Sequence, residues 1–481
     1  MKFLNSWPKF RDLSTNEYQF FIKGSPSLSD DCIIEILRRG NFPNNIRGNF
    51  SFYFKDTNRI ILAVDHLPLE NLFYSDQYCG HIFLNVKEEL RKNNLSITDN
   101  LDIKWQIIIL FGLSYGYETN VKEIKRVPPA SYLEVKPDGS KSIVEYRNIY
   151  YQPTGDWHIE ELSKIVENFI IENTKKPFGL LLSSGVDSCT ILGLFKKLGI
   201  EDKAKYVSIR GATEELYESK FVEQIAKDLN IKVDWYDVDI LTQRTSEKES
   251  DVGYQSSYHR TYSAYWANSQ QLVKYHALRA CHFTKRVIFT GEAGDQLFGS
   301  LLFKILLKYI VQVPKASNDS IAEIFVNYEM SKRTNTSLSN NWFPISHIPE
   351  ITNAMNAAKH EVSRIWSKLE TDDLVNKISL LYYILKSSYN AYNYNQFYDC
   401  EFVHPFSDGY LFDYVFRIPG NYKLGEGGKT KRILRHMVKD YISDLPWNLS
   451  KTGISILPAD LKWTNLEGFK NEIIQMGNRK H

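Results

Sequence analysis

Residues Leu180 to Ser188 read Leu-Leu-Leu-Ser-Ser-Gly-Val-Asp-Ser, and no other stretch restricts the fold as tightly. An apolar run stops abruptly at a loop of small residues, and an apolar segment from Cys189 to Leu198 follows. A run this apolar suits a strand buried on both faces, which belongs in a parallel sheet covered by helices. The small loop then turns the chain into a helix. Backbone N–H groups at such a helix N-terminus can cradle phosphate oxygens. Small residues are needed there because a bulky Cβ would hold the phosphate away. Asp187 adds a carboxylate beside that position, suited to Mg²⁺. The loop lacks the Gly-Lys-Ser/Thr ending of a Walker A motif. By itself it is also compatible with an ordinary strand-to-helix turn.

The rest of the chain divides around this unit. Residues 1–150 read as mostly β, with strands expected at 50–54 and 59–64 and a hairpin pair within 74–83. Pro128-Pro129 and Pro137-Asp138-Gly139 are turn signals around strands at 130–135 and 142–146. Residues 150–156, with Pro153 and Gly155, read as a linker. From 157 to 481 a second domain is expected. Its strands fall at 179–182, 204–209, 233–238 and 286–290, with an amphipathic helix at 215–229. Such alternation implies a doubly wound parallel sheet with ligands at the carboxyl ends of its strands. Beyond residue 300 the pattern is mainly helical.

Bulk properties exclude several classes. A length of 481 residues calls for two or three domains. A net charge of +2 suggests no nucleic-acid surface. The five cysteines are Cys32, Cys79, Cys189, Cys281 and Cys400. They are scattered and lack C-x-x-C spacing, so neither a disulfide framework nor a zinc site is supported, and a cytoplasmic location is expected. Residues 301–313 form the most apolar helical stretch, but Lys304 and Lys308 interrupt it and it is too short for a bilayer. No membrane partner is expected.

A second motif follows the strand expected at 286–290. Thr290 to Ser300 reads Thr-Gly-Glu-Ala-Gly-Asp-Gln-Leu-Phe-Gly-Ser. A loop after a strand of this sheet faces the same crevice as Ser183 to Ser188. Asp187 and Asp295 could then share one Mg²⁺ on a pyrophosphate. A surface turn with solvated acids is the alternative.

Together these stretches resemble a known family. Ser183 to Ser188 resembles the Ser-Gly-Gly-x-Asp-Ser loop of the ATP pyrophosphatases. Gly291 to Gly299 resembles the Gly-Glu-Gly-x-Asp-Glu-x-Phe-Gly motif of the asparagine synthetase family, which includes β-lactam synthetases and lasso-peptide cyclases. Glu401 to Asp408 resembles that family's Glu-x-Arg-x-Pro-Phe-Leu-Asp, and Lys431 to Arg435 its Lys-x-x-Leu-Arg segment. Ser450-Lys451-Thr452-Gly453 resembles the lysine loop that follows. Upstream, Arg47 to Phe52 and Asp65-His66 look like its amidotransferase-like core. The motifs occur in order along nearly the whole chain.

The resemblance implies an N-terminal β-rich amidotransferase-like (Ntn-type) domain. It also implies a C-terminal doubly wound ATP-pyrophosphatase domain with a helical extension. It assigns nucleotide binding to Ser183, Ser184, Gly185, Val186, Asp187, Ser188, Ser208 and Gly291. It assigns Mg²⁺ to Asp187 and Asp295, and catalysis to Glu292, Glu401, Lys431 and Lys451. Glu292 would sit near the acceptor amine or the acyl-adenylate, and the two lysines would neutralise pyrophosphate and adenylate. Fixed cations facing that charge supply much of the available stabilisation.

Departures from the pattern refine the expectation. Glutamine-dependent members begin Met-Cys, whereas this chain begins Met1-Lys2-Phe3. Glutamine hydrolysis is therefore not expected, and the N-terminal domain is expected to be a retained structural half. Gln296, Val403 and Ser184 replace the family's acid, Arg and Gly. The adenylation parts are mostly kept while the substrate side diverges. The expected activity is ATP-dependent amide formation through an acyl-adenylate, with an amine carried by the substrate. Macrolactam or β-lactam closure is the favoured form. The expected partner is a small molecule or peptide bearing a carboxylate and an amine, with a protein that delivers a precursor peptide as a further candidate. Ammonia-dependent asparagine synthesis and a non-catalytic nucleotide-binding relative are the alternatives.

Overall fold

Two apolar runs that end at small-residue loops, Phe178–Leu181 and Val287–Phe289, become neighbouring parallel strands in the computed structural model. The structure describes residues 1–4, 10–65, 71–81, 83–98, 119, 121–146, 153–210, 216–237, 277–278, 281–283, 286–299, 301–311, 317–334, 349–395, 401–424 and 430–442.

Among the described residues, ten short strands precede residue 150. They are β1 (Lys2–Leu4), β2 (Arg11–Asp12), β3 (Gln19–Pro26), β4 (Gly48–Lys55) and β5 (Ile60–Val64). Then come β6 (Phe73–Tyr74), β7 (Tyr78–Gly80), β8 (Lys125–Arg126), β9 (Ser131–Val135) and β10 (Lys141–Glu145). One sheet runs β10-β9-β5-β4-β3-β2 and is antiparallel throughout. The other runs β1-β7-β6-β8, with β1 and β7 parallel. The alternation of β4 sorts its aromatics. Phe50, Phe52 and Phe54 join Ile33, Ile34 and Leu37 of the helix Asp30–Arg38 in one cluster. Tyr53 joins Leu62, Leu72, Tyr74 and Cys79 in another.

Two elements here do not follow the expected pattern. Strand β3 was not among the expected strands. It continues as a strand because Gly24, at φ 89°, lies against β4. A Cβ there would stand 2.2 Å from the Asn49 carbonyl oxygen. The expected hairpin within 74–83 exists as β6 and β7, but Phe83 opens the helix Phe83–Lys92. Residues 147–152, which hold part of the expected linker, lie outside the described residues.

The second half is built on β11 (Phe178–Leu181), β12 (Lys205–Arg210), β13 (Val233–Asp237), β14 (Val287–Phe289) and β15 (Glu401–Val403). Their order is β13-β12-β11-β14-β15, all parallel. Strand β15, not anticipated as a strand, forms the edge. The chain moves outward from β11 to β13, then returns to lay β14 on the other side of β11. This reversal opens a crevice at the carboxyl ends of β11 and β14, the place where such sheets bind ligands. The helix Val186–Lys197 leaves β11 at that point. Asp187 lies in its first turn and Lys196 and Lys197 in its last, which suits the helix dipole. Ile191, Leu192, Leu194 and Phe195 are buried, and Gly193 lets the helix Arg432–Val438 approach closely. A Cβ on Gly193 would meet Val438 at 2.7 Å. Phe178, Phe195 and Phe289 pack edge to face with centroids 5.2–6.1 Å apart.

The helices Leu301–Ile310, Asn318–Thr334, Pro349–Lys368 and Leu374–Asn395 form the expected helical extension. The largest apolar cluster runs through this half and also takes in Phe73, Val86 and Leu90 from the N-terminal part. Among the described residues, no helix is long and apolar enough to cross a membrane.

Candidate active site

The loop after β11 is closed by its own serines. The Ser183 amide donates to Ser188 Oγ at 3.1 Å, and the two hydroxyl oxygens lie 3.0 Å apart. The Gly185 amide donates to Ser183 Oγ at 3.2 Å. Ser188 Oγ can also donate back to the carbonyls of Ser183 and Gly185. Ser183 is exposed, Ser184, Gly185 and Val186 are half-buried, and Asp187 and Ser188 are buried. The expected phosphate loop is thus a preformed turn with its small residues toward solvent and Ser188 bracing it from below. Ser208, on β12, is buried beside the end of β11.

Asp187 is gripped from the neighbouring strand end. A Cβ on Gly291 would fall 2.5 Å from Asp187 Cβ, and one on Gly294 would fall 2.2 Å from Asp187 Oδ1. Only glycine fits at either place, so the loop after β14 is moulded around this carboxylate. Between these glycines Ala293 takes a left-handed conformation at φ 70° and ψ −7°. Asp295 follows in the first turn of the short helix Gly294–Phe298.

Lys431 links the two acids. Its Nζ lies 2.6 Å from Asp295 Oδ1 and also pairs with Asp187 Oδ2. The Lys431 side chain is 5% exposed, against 9% for Asp187 and 33% for Asp295, so the cluster is shielded from salt on the Asp187 side. Lys431 stands before the helix Arg432–Val438 in a left-handed conformation, φ 58° and ψ 40°. A bulky side chain at positive φ is uncommon and is held by its surroundings. Here the ion pairs supply that hold. One turn later Arg435 donates from Nε to the Thr430 carbonyl at 2.7 Å. Burial pulls the Arg435 guanidinium down to about 10, and nearby Asp187 opposes that shift.

Glu292 is half-buried, and its amide donates to Thr290 Oγ1 at 3.3 Å. That hydroxyl lies 2.7 Å from Nδ1 of buried His404, which follows β15. Which of the two donates depends on the imidazole tautomer.

The structure therefore gathers Ser183 to Ser188, Gly291, Glu292, Asp295 and Lys431 at one crevice, with Ser208 on the adjacent strand. Glu401 is placed differently. Its backbone opens β15 in register with Val287, at the end of the strand away from Thr290. Lys451 lies outside the described residues. Gly294, His404 and Arg435 were not singled out from the sequence. Gly294 could have been found from its spacing to Asp295. Arg435 lay within the Lys431 to Arg435 motif without a role assigned to it, and His404 gave no comparable signal, because its role depends on contact with Thr290.

The two carboxylates are hard oxygen donors on separate strand-end loops, a set that suits Mg²⁺ completed by phosphates. Among the described residues no group of three or more His, Cys, Asp or Glu could hold a metal alone. The donor set fits an ion whose remaining ligands are phosphate oxygens.

A parallel sheet with a preformed phosphate-type loop and paired acids at its switch point defines an ATP-pyrophosphatase-type site. The asparagine synthase family pattern matches residues 173–477, and the chain belongs to the asparagine synthetase family. Membership supports an ATP-using amide ligase. The chain is also similar to the amidase chyE of Penicillium rubens, at 23% identity, covering 92% of this chain and 74% of that protein. Among solved structures it is similar to an NH3-dependent NAD synthetase from Campylobacter jejuni. That match has 11% identity and a TM-score of 0.23 and covers 43% of this chain and 94% of the other.

Proposed function

We propose that this chain activates a carboxylate as an acyl-adenylate and joins it to an amine carried by the same substrate. The observation that carries the reading is the ion-paired cluster of buried Asp187 and Lys431 with half-buried Asp295. Three separate segments bring these groups to the switch point of the sheet. A carboxylate oxygen attacks the α-phosphorus of ATP, and the bond from that phosphorus to the β-phosphate bridging oxygen breaks. Pyrophosphate leaves with that electron pair. The amine nitrogen then attacks the acyl carbon, loses a proton and expels AMP.

Bound Mg²⁺ would supply neutralisation of the phosphate charge, held by Asp187 and Asp295. The loop from Ser183 to Ser188 would cradle the phosphates. Lys431 would exchange carboxylate partners for pyrophosphate oxygens, and Glu292 would face the amine. An amine on the same molecule needs no separate ammonia supply and gains a large effective concentration. This supports ring closure of the macrolactam or β-lactam kind on a small molecule or peptide.

The test is ATP–pyrophosphate exchange over a panel of amino-substituted carboxylates. With an accepted acid, Asp187→Ala and Asp295→Ala are each expected to abolish exchange while circular dichroism stays native. Near-wild-type exchange in either variant overturns the paired-acid assignment. Lys451→Ala should bind ATP normally yet form product about 10²–10³ times more slowly, as for a lost transition-state donor. Wild-type single-turnover rates in that variant would remove Lys451 from the reaction.

A further inference from the structure

One side chain of the N-terminal sheets reaches the turn that follows β15. Asn49, second residue of β4, donates from Nδ2 to the Ser407 carbonyl at 3.1 Å. The backbones meet at the same place. A Cβ on Gly409 would stand 2.6 Å from the Gly48 carbonyl carbon and 2.9 Å from the Asn49 nitrogen. Asn49 is itself fixed, because the next residue is tied on both sides. The Phe50 amide donates to Asp65 Oδ2 at 2.8 Å, and the Asp65 amide donates to the Phe50 carbonyl at 3.0 Å.

From Ser407 the contact continues inward. The Ser407 amide donates to the His404 carbonyl at 2.8 Å, closing the short turn Pro405–Ser407. His404 Nδ1 meets Thr290 Oγ1, and that hydroxyl takes the Glu292 amide. The Thr290 amide donates to the Val403 carbonyl at 3.2 Å, so the two strand ends are tied twice. A buried phenol marks the same junction. Burial pushes Tyr383 well above its ordinary value, and Asp65 from the N-terminal half and Asp408 and Glu292 from the other add to the shift.

We propose that the N-terminal domain serves the synthetase reaction as a positioning element. Asn49 holds the turn after β15 and, through His404 and Thr290, fixes the loop that carries Glu292. Asn49 is a positioning residue, since it acts through others. The inference rests on the crevice being the adenylation site only for its bearing on catalysis. The mechanical coupling stands apart from that reading.

The experiment uses the full chain and needs no substrate. Asn49→Asp keeps the shape and turns a donor into an acceptor facing a carbonyl. Asn49→Ser is the milder companion if the first folds poorly. Amide hydrogen exchange is followed in fragments covering 290–294 and 404–408, with 60–64 as the internal reference. Exchange in the first two should quicken about tenfold or more while the reference stays unchanged. The ¹⁵N signals of the His404 ring, assigned with His404→Gln, should shift. Thr290→Val should produce the same quickening at 291–294, and adding Asn49→Asp should add nothing, as for groups acting in series. Exchange that quickens only around residues 48–50, or His404 signals that do not move, overturns the proposal. MgATP affinity of the wild-type chain, measured alongside, reports separately on the adenylation reading.

Discussion

The N-terminal sheets and the strand-end crevice are held together by opposite means. In the sheets ring lies on ring. Phe3 stacks on Tyr53 at 4.6 Å and on Phe21 at 5.0 Å, and Phe42 stacks on Tyr132 at 4.1 Å. Such contacts add to burial without demanding a unique arrangement of charge. In the crevice Asp187 and Lys431 are buried, and two non-glycine residues sit at positive φ. Burying an ion pair is weak evidence for stability, because desolvation offsets the attraction. Packing explains the first region. The second is better explained by chemistry that needs charges fixed in place.

Lys431→Met tests that contrast most severely. It leaves buried Asp187 without its ammonium, an error of about 3–5 kcal/mol by analogy with other broken buried pairs. Urea unfolding should show the loss, and MgATP binding should fall with it. A change below about 1 kcal/mol would contradict the ion-paired geometry. Phe52→Ala is the counterpart in the sheets. Phe52 is fully buried, so truncation should cost about 3–5 kcal/mol. Nucleotide affinity of the folded protein should nevertheless stay at wild type. If affinity falls as well, packing within the sheets also sets the nucleotide site.

Lys423 sharpens the comparison, since it is a buried charge without a paired acid among the described residues. Its side chain is fully buried, and Nζ makes no hydrogen bond among the described residues. The ammonium lies 4.1 Å from the Phe416 ring centroid. Burial pulls it down to about 7, against a smaller opposing pull from Asp373. The folded state therefore sheds this proton near pH 7, while the unfolded chain keeps it to above pH 10. Stability from this group rises as pH climbs between those limits. Lys423→Met should stabilise by about 1–2 kcal/mol at pH 6, and the gain should shrink toward pH 10. Thermal melts across that range would show it, and a pH-independent gain would contradict the buried ammonium.

Asp408, at the contact between the regions, behaves in the opposite sense. Burial raises its carboxyl to about 6, although the amides of Leu411 and Tyr410 pull it down. The folded state then holds a proton that the unfolded chain has already lost, so stability falls as pH rises from about 4 to 6. Asp408 accepts both amides as a helix cap, and asparagine can do the same. Asp408→Asn should leave stability nearly unchanged near pH 4 and raise it by about 1 kcal/mol above pH 6. Destabilisation at pH 7 would show that the cap needs the charge.

These residues also mark what the sequence could and could not disclose. The strand-loop-helix at Leu180 to Ser188 was legible because hydrophobic pattern and small residues coincide over a few positions. Asp187 and Asp295 were legible for the same reason, each sitting just after a strand of one sheet. Lys431 was expected among the phosphates, but nothing in its neighbourhood disclosed that it would lie between the two acids. That follows from the close approach of two helices at Gly193. Asn49 and Ser407 were invisible as partners because they are 358 residues apart and meet only through folding. Strand β3 was not among the expected strands; its pairing with β4, with Gly24 packed against Asn49, is a contact between residues distant in sequence.

Ala293→Gly gives the smallest effect and the finest distinction. The family motif, as this chain otherwise follows it, has Gly where Ala293 stands. Left-handed backbone costs an alanine about 1–2 kcal/mol. Two terms oppose that relief. Ala293 is 2% exposed within the main apolar cluster, so losing its methyl forfeits about 0.8 kcal/mol. Glycine also widens the unfolded ensemble, by about 0.4–1 kcal/mol. The sum lies within about 1 kcal/mol of zero, so Ala293→Gly should leave the unfolding midpoint almost unchanged. Ala293→Val sets the contrast, since a β-branched residue is far worse at positive φ. It should destabilise by about 2 kcal/mol or more and loosen the grip of Gly291 and Gly294 on Asp187. If valine is tolerated as well as glycine, the loop is not held left-handed, and the crevice is less strained than the sheets are well packed.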